Sequence, residues 1–154
     1  MRSLVAAAGA VALVMASVAA AAAVTAPEEV KVEDMTVAAS LTGQPGDPAK
    51  GRSVFSSRSL GNCLACHANA DLANELFQGD VGPDLSDVGG RYEPEQLRAI
   101  VVDSKQVFGE QTVMPAFYHA ITDQRVRKDL AGKPILTAEQ VEDLVAYLVT
   151  LKGK

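Results

Sequence analysis

Cys63-Leu64-Ala65-Cys66-His67 places two thiols three positions apart, with an imidazole directly after the second. On a short turn, thiols at that spacing can reach the two vinyl groups along one edge of a single porphyrin. The adjoining His67 is then held beneath the ring with its imidazole aimed at the iron. The pattern reads as an attachment site for one covalently bound haem c, tethered by Cys63 and Cys66 and ligated by His67. A redox dithiol or a structural disulfide is the competing reading, and neither needs the histidine or a methionine downstream. The motif uses both cysteines of the chain, so no thiol is left for a disulfide framework or a nucleophile.

Such an iron needs a sixth ligand. His119 is the only other histidine, and of the four methionines Met1, Met15 and Met35 all precede the motif. Met114 remains, in Thr112-Val113-Met114-Pro115. A thioether is a soft donor suited to low-spin haem iron, and His/Met ligation raises the reduction potential. Pro115 would stiffen the loop and hold the sulfur in place. Two alternatives stay open: Met114 filling a core gap, the usual job of methionine, or His119 serving as the axial ligand instead of facing solvent or a partner.

The start of the chain sets the compartment. Arg2 precedes an uncharged apolar run from Leu4 to Val18, and Ala19 to Ala23 offer several small-residue cleavage sites. Residues 1–23 read as a secretory signal peptide cut near Ala21 to Ala26. The run is short for a bilayer span of about 20 residues, although a membrane anchor is the alternative. The mature chain is expected in the periplasm, where haem of this type is attached, with no membrane span of its own. What remains suffices for one small domain with one core. The chain carries 14 basic and 19 acidic residues, a net charge of −5, and loss of Arg2 makes it more negative. Nucleic acid is an unsuitable partner for such a surface.

The elements that must position the site are helical. Residues 24–46 form a mixed acidic and valine-containing segment, read either as a disordered leader or as an arm lying along a partner subunit. The domain proper spans 47–154. Asp47-Pro48 is a helix start, because the carboxylate accepts orphan amides and proline has none to strand. That helix turns Gly51, Val54 and Phe55 inward and breaks at Ser56-Ser57. A second runs from Pro94 to about Asp103, with Leu97, Ile100 and Val101 as its apolar face and Arg98 among its polar residues. Thr137-Ala138-Glu139-Gln140 is a capping box flanked by Leu136 and Val141 as a staple. Val141, Leu144, Val145, Leu148 and Leu151 then form an inward stripe, widened by Ala146 and Tyr147. The fold class is all-α.

Taken together, Gly51 and Phe55, then Cys63 to His67, Val81-Gly82-Pro83-Asp84-Leu85, Met114-Pro115 and Val145-Ala146-Tyr147-Leu148 resemble the class I cytochromes c in order, from Asp47 to Leu151. The resemblance implies a fold in which the first and last helices cross, with Gly51 allowing close approach beside Phe55 and Tyr147. It also implies that the carbonyl of Pro83 accepts the Nδ1 hydrogen of His67, fixing the imidazole. Arg91 occupies a place where the family can bind a haem propionate, although a solvated loop arginine reads equally well.

Gly61-Asn62 ahead of the motif, Met114-Pro115-Ala116-Phe117-Tyr118, and Gly132-Lys133-Pro134-Ile135-Leu136-Thr137 are similar to the SoxX family, the mono-haem subunit of the sulfur-oxidation cytochrome SoxAX. The stretch from Ala120 to Asp129, with Asp123, Arg125, Arg127 and Lys128, matches least well. The resemblance implies a heterodimer with SoxA, an L-cysteine S-thiosulfotransferase that couples thiosulfate to a cysteine of the carrier SoxYZ. In that family the chemistry is placed at a SoxA haem, while the small subunit passes electrons to a soluble cytochrome c. No catalytic residue is therefore expected in this chain. A free mono-haem carrier for respiration or another dehydrogenase is the alternative, and a haem-free dithiol protein is the third reading.

Overall fold

The computed structural model describes residues 23–122 and 125–153. The expected signal peptide lies outside the described residues except for Ala23, as does Asp123. Four α-helices follow in order: α1 (Pro48–Ser56), α2 (Val88–Arg91), α3 (Pro94–Phe108) and α4 (Ala138–Thr150). Short 3-10 turns occur at Pro27–Glu29, Cys63–Ala65 and Ala70–Leu72. Among the described residues, β structure is limited to a bridge between Glu33 and Thr36.

The start of α1 rests on its cap. The Asp47 carboxylate accepts from the amides of Ala49 and Lys50 at 2.8 and 3.4 Å, with Pro48 in the first turn. Such a cap contributes about 1 kcal/mol. At the head of α4, Thr137 Oγ1 accepts from the Gln140 amide at 3.2 Å and Gln140 Oε1 accepts from the Thr137 amide at 2.9 Å. These two helices make the most extensive packing in the fold. A Cβ on residue 51 would lie 1.9 Å from the Asp143 carbonyl oxygen, so only glycine permits this approach. Beside the crossing, Phe55 meets Tyr147 edge to face, ring centroids 5.6 Å apart.

Three features depart from the sequence reading. Helix α3 extends beyond Asp103 to Phe108, with a break in helical geometry at Asp103 (φ −152°, ψ 91°). Arg98, grouped with the polar face, is buried and forms a two-point ion pair with buried Glu142 at 2.8 and 3.0 Å. Residues 24–46 are not a free leader, because they pack on this chain's own α3 and α4. Val37 and Leu41 are buried in the core. The Val37 carbonyl accepts from Arg98 Nη1 at 2.8 Å, and the Leu41 amide donates to Glu142 Oε1 at 2.9 Å. Tyr118 reaches the same segment, donating from its hydroxyl to the Thr25 carbonyl at 2.7 Å.

The segment thus completes the hydrogen bonding of a buried charge pair. Removing one member of such a pair leaves an uncompensated buried charge. Arg98→Ala is therefore expected to lower the unfolding free energy by about 3–5 kcal/mol, measured by urea denaturation of the holoprotein. A loss no greater than at an exposed arginine would contradict this role. Replacing Arg98 and Glu142 together with apolar residues should recover only part of the loss, because the Val37 carbonyl and the Leu41 amide then lose these partners.

Candidate haem site

The motif lies just beyond α1. Asn62 adopts a left-handed conformation (φ 49°, ψ 36°) and turns the chain into the Cys63–Ala65 3-10 turn. The amides of Cys66 and His67 both donate to the Cys63 carbonyl, at 3.1 and 2.9 Å. Leu64 is buried and anchors this turn to the core, while Cys63 is half-buried and Cys66 exposed. As a free thiol, Cys63 is pushed up to about 12 by burial, with the adjacent Cys66 adding to the effect.

A second loop grips the first. The amides of Gly79, Gly82 and Leu85 donate to the carbonyls of Leu64, Cys66 and Ala68 at 2.8, 2.8 and 2.9 Å. His67 lies against this loop, its Nδ1 2.7 Å from the Pro83 carbonyl oxygen. A carbonyl can only accept, so Nδ1 carries the hydrogen, and in the neutral imidazole Nε2 is then the nitrogen with the free lone pair. A Cβ on residue 82 would come within 2.2 Å of the imidazole Cε1. Gly82 is thus part of the site, a role its presence in the family pattern did not disclose.

Behind the motif, Asn69 and Asp71 tie this segment to α4. Tyr147 donates to Asp71 Oδ2 at 2.8 Å and accepts from Asn69 Nδ2 at 3.0 Å. Arg52 pairs with the same Asp71 oxygen at 3.0 Å. Burial, and then the Asp71 carboxylate, raise Tyr147 above its ordinary value.

On the opposite side, the Met114 loop folds back on α3. The Phe117 and Tyr118 amides donate to the Val101 and Val102 carbonyls, both at 3.2 Å. Ser104 Oγ donates to the Met114 carbonyl at 2.7 Å. Sequence reasoning missed Ser104, whose signal was a lone serine ten residues from its partner.

Between these loops lies a cavity of about 480 Å³ whose walls include Cys63, Cys66, His67, Pro83, Arg91 and Met114. Phe55, Leu85, Val88, Leu97, Ile100, Phe117, Leu144 and Leu148 supply apolar wall. The volume falls in the ~300–1,000 Å³ range of cofactor pockets. Two thiols, an oriented imidazole and a thioether around an apolar cavity are a donor set that fits haem. Arg91 donates to the Asp84 carbonyl at 2.6 Å and pairs with Asp87 at 3.1 Å while lining the cavity. His119 is exposed and does not line it.

Comparison with known proteins agrees with this geometry. The chain belongs to the cytochrome c family, whose sequence model matches residues 48–152. It is similar to a chain of the crystal structure of SoxXA from P. pantotrophus, at 44% identity. That match covers 84% of this chain and 99% of that one, with a TM-score of 0.78. The c-type cytochrome SorU from Sinorhizobium meliloti is 29% identical over 70% of this chain and 92% of its own, with a TM-score of 0.44. No curated protein matches the chain. Within the cytochrome c family this is a SoxX-type cytochrome, and its prosthetic group is a covalently bound haem c.

Two outcomes follow from these contacts. Gly82→Ala is expected to push the imidazole off Pro83, removing the His67 Nδ1–H resonance from the NMR spectrum of the reduced holoprotein. Retention of that resonance would contradict the packing. For Tyr147, the folded state binds the phenolic proton more tightly than an unfolded chain, whose tyrosine titrates near 10.0. That stabilisation is complete below this pH and is lost as pH rises through the folded value. Tyr147→Phe should cost about 1–3 kcal/mol at neutral pH and flatten the fall in stability above it, followed by denaturation at a series of pH values.

Proposed function

We propose that this chain is the electron-relay subunit of a periplasmic SoxAX-type L-cysteine S-thiosulfotransferase. The observation that carries the reading is an apolar cavity lined by Cys63, Cys66, His67 and Met114 together, in a chain 44% identical to part of SoxXA. Cys63 and Cys66 would hold the haem through thioether bonds, and His67 and Met114 would ligate its iron. Once bound, haem c supplies a one-electron redox couple. Pro83 fixes His67 in the tautomer that leaves Nε2 free to coordinate. Arg91 is positioned at the cavity wall to meet a propionate, although its present partners are Asp84 and Asp87.

With His67 and Met114 both given to the iron, and with no thiol beyond the two tethers, the chain would offer no site to bond sulfur. Coupling therefore belongs to the SoxA partner. There, a carrier thiol and thiosulfate form one S–S bond, releasing a proton and two electrons. The electrons cross this subunit singly to a soluble cytochrome c. Exposed Val81, Phe108 and Val113 line the cavity rim, and exposed Leu76 and Phe77 lie on the loop before Val81. This apolar rim supports transfer to partner proteins. No described helix is long and apolar enough to cross a membrane.

The test is reconstitution. The isolated holoprotein is expected to give no thiosulfate coupling to SoxYZ, and addition of SoxA should restore coupling with reduction of this chain's haem. Turnover by this chain alone, or a partner complex in which its haem stays oxidised, would overturn the relay reading.

A further inference from the structure

Helix α3 carries a break that the haem ligands alone do not explain. At Asp103 the backbone leaves helical geometry, and its Oδ1 accepts from the Lys105 amide at 3.1 Å. That amide would otherwise bond the Val101 carbonyl one turn earlier. The carbonyls of Val101 and Val102 instead accept from Phe117 and Tyr118. The break thereby converts the middle of a helix into a docking edge for the chain just beyond Met114.

Ser104 follows the break directly and is fully buried. A serine in a helix usually bonds a carbonyl of its own preceding turn. Here its hydroxyl donates across to the Met114 carbonyl at 2.7 Å. Lys105 Nζ donates to the Thr112 carbonyl at 2.6 Å, on the near side of the same loop. The loop is thus held before, at and after Met114. Among these bonds, the Ser104 hydroxyl is the one made to Met114 itself.

We propose that Ser104 is the positioning residue for Met114, holding the ligand loop closed so that an outside ligand cannot take the methionine's place. This rests on Met114 being the axial ligand. Displacement of a thioether requires the loop to open, and opening breaks the Ser104 bond. The affinity of the ferric holoprotein for added imidazole therefore reports how firmly the loop is closed.

The test uses imidazole titration of the ferric holoprotein, followed by loss of the weak thioether-to-iron band at the red edge of the spectrum. Ser104→Ala is expected to bind imidazole roughly tenfold more tightly than the parent protein, as expected for loss of one buried hydrogen bond. Ser104→Thr keeps the hydroxyl and should keep the parent affinity. Thr137→Ala removes the α4 cap and lowers global stability, yet should leave imidazole affinity unchanged. Parent-like affinity in Ser104→Ala, or an equal shift in Thr137→Ala, would overturn the proposal. If Ser104→Ala yields no holoprotein, amide exchange in the parent decides: imidazole should speed exchange at Phe117 and Tyr118 but not within α4. Unchanged protection at those two amides would count against it. Failure of the underlying ligation has a separate signature, a red-edge band that survives in Met114→Ala.

Discussion

The approach of α1 to α4 is the constraint on which the rest of the structure depends. Gly51 lies so close to the Asp143 carbonyl that a side-chain carbon has no room. This contact sets Phe55 against Tyr147 and brings Leu144 and Leu148 to one wall of the cavity. Because the motif begins only a few residues after α1 ends, the crossing also determines where Cys63 and His67 sit. Tyr147 extends the same constraint past the motif, through Asn69 and Asp71. A single interhelical contact thereby locates both ends of the haem-attachment turn.

The two sides of the cavity are built on different physical principles. The histidine side is a backbone lattice, in which three amides of the 79–85 loop bond the turn and its sequel. The methionine side depends on a helix that fails at a chosen residue, freeing carbonyls that would otherwise be spent internally. The first arrangement fixes an imidazole by its acceptor and by a ring-sized gap over Gly82. The second holds a long, unbranched side chain by fastening the backbone on either side of it. An outer shell of this kind governs ligand orientation and donor strength in metal sites.

Local chemistry was legible in the sequence where the partners are neighbours. Asp47-Pro48, the Thr137 to Gln140 capping box and the Cys63 to His67 motif each carry their own explanation within five residues. What escaped depends on distance along the chain. Arg98 read as polar because its partner Glu142 is 44 residues away, and the mixed acidic and valine-containing segment 24–46 gave no sign that Val37 and Leu41 are buried. Asp103 resembled a helix stop, yet the same carboxylate caps a further stretch of helix. The Pro83 carbonyl entered through family resemblance, since no side-chain pattern announces a backbone acceptor.

On the function proposed here, His67 and Met114 would both ligate the iron of a single haem c. Near-infrared magnetic circular dichroism of the ferric holoprotein tests it most directly, because the charge-transfer energy there depends on the axial pair. The account predicts a single low-spin species with the transition of a histidine–methionine pair. A transition typical of histidine paired with a second nitrogen donor, or a high-spin spectrum with an open position, would contradict it.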